Sequence, residues 1–177
     1  MNPFPALAIL TAGAALLASQ TFAAGPSGPA VDVRANMVEG VNPAALAIWD
    51  VGNNATDDEG SLDPAQMDAA AWGRVAEAAQ SLATYAHRLA TASAIRASGP
   101  DLVDGKVPPG VSSREQIQAL IDANPGGFRA AAGTMEEQAN ALAGAAKERN
   151  LEKAGELMAG FDQTCQACHQ TYWYLQQ

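Results

Sequence analysis

The residues able to do chemistry crowd into one short stretch. The chain has two cysteines and two histidines, and both cysteines and one histidine sit together in Cys165-Gln166-Ala167-Cys168-His169, with eight residues following. A three-residue step on a helix puts two side chains on one face, about 5 to 6 Å apart. Two thiols so placed can each add to one of the two vinyl groups on a porphyrin edge. The neighbouring imidazole then stands beside the ring, where a nitrogen can ligate iron. Cys-x-x-Cys-His is the attachment pattern of c-type haem. It predicts one covalent haem c, bound through Cys165 and Cys168 with His169 as the proximal ligand.

Three other chemistries compete for these residues. A thioredoxin-type exchange pair uses the same Cys-x-x-Cys but sits in a βαβ context. A structural zinc ion needs four ligands, for which Cys165, Cys168, His169 and His87 are candidates. A plain disulfide between the two cysteines suits an oxidising compartment. Haem outweighs all three, because the five-residue pattern specifies both thiols and the imidazole at once.

Four stretches supply the elements that must position this cluster, each with apolar residues at alternating three- and four-residue steps, the seam of packed helices. The first holds Met37, Val41, Ala44, Ile48 and Val51. The second, opened by Asp63 as N-cap with Pro64 at the first helical position, holds Trp72, Val75, Ala79, Leu82, Ala86 and Leu89. The third holds Phe128, Ala132, Met135, Ala139, Leu142 and Ala146, and the fourth holds Leu151, Ala154, Met158, Phe161, Cys165, Cys168, Tyr172 and Leu175. No strand alternation stands out, and abundant alanine favours helix. An antiparallel four-helix bundle, an all-α fold, buries four such seams. It sets Cys165 and Cys168 on the core side of the last helix.

Pro43 either kinks the first helix or, after Asn42, starts a new one. The seam keeps its phase across it, which predicts one kinked helix. An acidic loop over 53–63 and a Gly/Pro-rich linker over 98–111 separate the helices. After the linker, Ser112 and Glu115 read as a capping box opening a short extra helix to about Ala123, stopped by Asn124, Pro125, Gly126 and Gly127.

Residues 1–24 carry no charged side chain, run apolar from Ala6 to Leu17 and end in small residues, the pattern of an export signal cleaved near Ala23 or Ala24. A retained anchor is the competing reading, but the run falls short of the roughly 20 residues a span needs. The expected location is the periplasm, with a single domain over 25–177. Its net charge of −9 argues against nucleic acid, whose phosphates need basic stripes. The acidity serves solubility or steers the protein toward a basic-surfaced partner; both readings stay open. No stable membrane insertion is expected.

A chain with an export signal, four helices, and Cys-x-x-Cys-His on the last of them followed after two residues by Tyr172 resembles the cytochrome c prime family, including its low-spin, methionine-ligated relatives. The resemblance spans essentially everything after the signal, although only the five-residue motif is sharply specific. It implies that Tyr172 contacts the haem and that the residue over the distal face comes from the early first helix. A large apolar residue there leaves iron five-coordinate and open to small gases; a methionine gives a six-coordinate electron carrier. The matching region here is VRANMVEGVNP, where the seam buries Met37. Met37 is thus the expected distal ligand, with ordinary core packing, the commonest use of methionine, as the alternative. Arg34, one turn earlier, is implied as a propionate partner, against a plain solvated charge. Met135 and Met158 read as packing, Met67 as too near the surface to ligate, and His87 as a partly solvated histidine.

Two departures stand out. Trp173 replaces the basic residue the family often has after Tyr172, and the linker with its extra helix lengthens the chain, over either the haem edge or a subunit face. No methionine or histidine follows His169, so any sixth ligand is expected from upstream. The expected function is a mono-haem, single-electron carrier between larger redox partner proteins, not an enzyme. The runner-up is a five-coordinate haem protein binding nitric oxide or carbon monoxide. Pairing through the first two helices, common in the family, makes a homodimer a further expectation of the resemblance.

Overall fold

The computed structural model describes residues 25–99 and 106–175; the expected export signal, 1–24, and part of the linker lie outside them. A two-residue strand β1 (Val31–Asp32) leads into helix α1 (Val33–Asn36), a π-helical turn (Met37–Val41) and helix α2 (Asn42–Ala55), which run on as one element. Asp32 caps it, its side chain accepting from the Ala35 N–H at 2.8 Å. The helix passes through Pro43 as expected. A proline has no N–H to give and its ring crowds the carbonyl four residues back. The π turn just upstream, closed by the Asn42 N–H bonding to the Met37 carbonyl, loosens the ladder where that conflict falls.

Helix α3 (Ala69–Thr91) begins later than the sequence suggested. Asp63 closes only a local turn, accepting from the Ala65 N–H at 2.8 Å, and the cap is Asp68, whose side chain accepts from the Ala71 N–H. The turn folds Met67 inward, so Met67 is 5% exposed and belongs to the same core cluster as Leu62. The expectation that it lies near the surface is therefore corrected. Strand β2 (Ile95–Arg96) pairs in parallel with β1, Val31 opposite Ile95. Two residues are too few to show an alternation in sequence.

The extra helix is α4 (Arg114–Ala123), and its capping box is Ser113 with Gln116, one residue beyond the expected Ser112 and Glu115. Both pairs fit the pattern, but the Ser112 hydroxyl is committed elsewhere, donating to the Tyr174 carbonyl. Asn124 ends α4 and also caps α5 (Pro125–Glu148), accepting from the Gly127 N–H at 2.9 Å. Pro125, Gly126 and Gly127, expected as a stop, are thus the first turn of the next helix, where proline is well tolerated. Arg149 in the left-handed region ends α5, and Asn150 caps α6 (Leu151–Tyr172).

These four long elements make the all-α bundle. Helix α3 packs along α5, α5 along α6 and α2 along α3, while α2 and α6 meet far more sparingly. The seams of α3 and α5 are buried as patterned. In the first seam the expected burial of Met37 is corrected to half-buried, because the π turn shifts it off the stripe of Val41, Ala44, Ile48 and Val51. The last helix departs as well. There Leu175 is 47% exposed because α6 stops at Tyr172, and Cys165 and Cys168 are only half-buried between the buried Phe161 and Tyr172. The core divides into a main cluster and a smaller one around Leu89, Ile121, Phe128 and Tyr172, and Met37 packs against both. Among the described residues no helix is long and apolar enough to cross a membrane.

Candidate cofactor site

The sparing contact between α2 and α6 leaves a cleft where the cysteines lie. It comprises two adjoining cavities of about 350 and 320 Å³, within the range of small-molecule and cofactor sites. Met37, Asn42, Phe128, Cys168 and His169 line both. The first also takes in Arg34 and Tyr172, and the second takes in Cys165, Trp49 and Met135. The six residues singled out by sequence, Cys165, Cys168, His169, Met37, Arg34 and Tyr172, therefore meet around one opening.

Both thiols are free. Burial raises both above the ordinary thiol range, helped by the Asp162 charge at Cys165 and by Cys165 at Cys168, which is pushed up to about 11. An exchange cysteine needs a depressed thiolate value, so these thiols do not suit the thioredoxin reading. Zinc fares no better. His87 points to solvent from α3 and bonds to Glu136 at 2.9 Å, and the described residues contain no cluster of three or more potential ligands. Burial also lowers the His169 value, which favours the neutral imidazole, the form that ligates a metal.

Arg34 tests the fit of a haem more sharply. Its Nε is buried and has no hydrogen-bond partner among the described residues, and the side chain lines the first cavity. A buried cationic donor without an acceptor costs free energy that folding alone does not return. A carboxylate brought in by a cofactor would supply the acceptor. The donor set fits a haem: two thiols and an imidazole on α6, a thioether across the cleft, apolar walls, and one orphaned arginine nitrogen for a propionate.

Tyr172 stands edge-on to Phe128, ring centres 5.0 Å apart, closing the floor of the first cavity. Several contributors carried no signal in the sequence beyond ordinary core or loop composition. Phe128 looked like plain seam. The tail after α6 folds back so that Trp173 and Tyr174 both donate backbone N–H groups to the His169 carbonyl, at 2.8 and 2.9 Å. Their rings lie 6.1 and 6.2 Å from the imidazole. Of the two places the inserted segment was expected to cover, it lines the cleft: Val107, Pro108, Ser112, Arg114 and Ile117 wall the first cavity. Arg114 of α4 thus brings a basic group to the mouth of the cleft, although Trp173 stands where the family often has one.

The family model described as Cytochrome C' matches the chain over residues 30–173. No curated protein and no solved structure matches it. With the helical bundle, the Cys165-to-His169 pattern and the family match in agreement, the chain belongs to the cytochrome c′ family and is a c-type haem protein.

Proposed function

We propose that the protein is a periplasmic single-electron carrier holding one haem c, bound by thioethers to Cys165 and Cys168, with His169 and Met37 as axial ligands. The observation that carries this reading is the joint lining of both cavities by the Met37 side chain from the first helix and the His169 imidazole from the last. A nitrogen donor and a sulfur donor lining one cleft from two helices suit a six-coordinate iron. The haem would supply a change between ferrous and ferric states, with no substrate bond broken. The protein's part is to exclude water and set the potential through burial, ligand type and nearby hydrogen bonds. A sulfur donor at Met37 would favour the ferrous state and raise that potential. Arg34 would compensate a propionate charge, and Tyr172 with Phe128 would keep that part of the cleft apolar. Electrons pass to and from redox partner proteins, for which the acidic net charge favours basic surfaces.

The test is an absorption and spin-state spectrum of the exported protein in both oxidation states, alongside Met37→Ala. Low-spin ferric protein that turns high-spin and gas-accessible in the variant supports the carrier. High-spin wild-type protein that binds nitric oxide or carbon monoxide directly would assign the five-coordinate role instead.

A further inference from the structure

The direction in which Met37 points is set by the π turn, and the π turn is seated on α3. In an unbroken α-helix, Met37 would continue the stripe of Val41, Ala44, Ile48 and Val51 into the core. One extra residue in a turn rotates everything upstream by about 100°, one residue's share of a 3.6-residue turn. The burial follows that rotation. Asn36, five residues before Val41, takes the core position at 5% exposure. Met37 moves aside to the cleft wall and Val38 turns out to 50% exposure. Arg34, one turn before Met37, shares its cavity.

Two contacts with Tyr85 of α3 hold this phase. The Asn36 side-chain amide donates to the Tyr85 carbonyl at 3.1 Å. Gly40, inside the turn, lies flat against the Tyr85 ring, and a methyl group added there would overlap it. The Arg88 guanidinium stacks on the ring, 4.5 Å from its centre, and limits how far the ring can move. Single π turns inside α-helices occur frequently at functional sites, and here the extra residue re-aims one side chain.

We infer that Gly40, Tyr85 and Asn36 are positioning residues that hold the π turn so that Met37, at the edge of the core, faces the cleft. The inference rests on Met37 being the distal ligand. The experiment uses the full-length, haem-loaded protein and four variants: Gly40→Ala, Asn36→Leu, Met37→Ala and Gly133→Ala. The last is a control in α5, where a methyl group would meet nothing within 4 Å. Ferric spin state and the sulfur-to-iron charge-transfer band are read beside circular dichroism. Gly40→Ala is expected to lose the band and turn high-spin, like Met37→Ala, with helix content retained. Asn36→Leu, which removes the hydrogen bond to the Tyr85 carbonyl, raises the high-spin fraction about fivefold, and Gly133→Ala stays low-spin. Low-spin spectra in both Gly40→Ala and Asn36→Leu, with Met37→Ala high-spin, overturn the positioning role and leave the ligand assignment standing. A wild-type spectrum that Met37→Ala does not change overturns the ligand assignment and the positioning role with it.

Discussion

Ser112 and Tyr174 lie 62 residues apart in sequence, yet the Ser112 hydroxyl donates to the Tyr174 carbonyl at 3.2 Å. The Ser112 N–H bonds to the Trp173 carbonyl at 2.8 Å and the Leu175 N–H to the Gly110 carbonyl at 3.0 Å. The inserted segment is therefore strapped to the tail that brackets His169. Ser112→Ala removes a buried hydroxyl and one hydrogen bond, a loss of about 1 kcal/mol. The melting temperature should fall by about 2–4 °C, and amide exchange at 173–175 should quicken while α3 and α5 stay protected. Exchange unchanged at the tail would mean the strap is not held by this bond.

Asp32 links the start of the first helix to the start of the linker. Its carboxylate accepts from the Ser98 N–H at 3.0 Å and from the Ser98 hydroxyl, besides capping at Ala35. Burial opposes ionisation, but hydrogen bonds from the Ser98 side chain and from the Ala35, Ser98 and Arg34 backbone outweigh it and hold the value below the ordinary 3.8. A carboxylate with a depressed folded value stabilises the protein fully above its unfolded value, and that stability is lost as pH falls through the folded one. Asp32→Ala should cost about 1 kcal/mol near neutral pH. The gap between variant and wild type in thermal unfolding should close below pH 3.8. A gap that persists to strong acid would mean the ionised carboxylate is not what stabilises this end.

Met67, buried in the main core cluster and distant in role from the cleft, separates packing methionines from the proposed ligand, Met37. Met67→Ala should destabilise the protein by about 2–5 kcal/mol in chemical denaturation and leave the haem spectrum unchanged. Met37→Ala should do the reverse, with a small stability change and a large spectral one.

Much of this was legible in the sequence, for identifiable reasons. The four seams follow directly from apolar spacing, and the Cys165-to-His169 run states its chemistry in five residues. Errors arose where two neighbouring candidates satisfied one rule. Ser112 and Ser113 both fit a capping box, and only the tertiary bond from Ser112 to Tyr174 decides between them. Asp63 and Asp68 both fit an N-cap, and the burial of Met67 favours the second. The π turn was hidden because the spacing from Met37 to Val51 already reads as an unbroken helix. Nothing local in residues 110–112 or 173–175 announces a backbone pairing between segments so distant in sequence.

The central claim is that porphyrin is joined to α6 through both cysteines. Its most direct test is the intact mass of the exported protein, denatured and stripped of non-covalent ligands. The account predicts that wild-type protein retains the mass of one haem, while Cys165→Ser with Cys168→Ser retains none. A wild-type polypeptide of bare mass from a host competent in c-type haem attachment would contradict it.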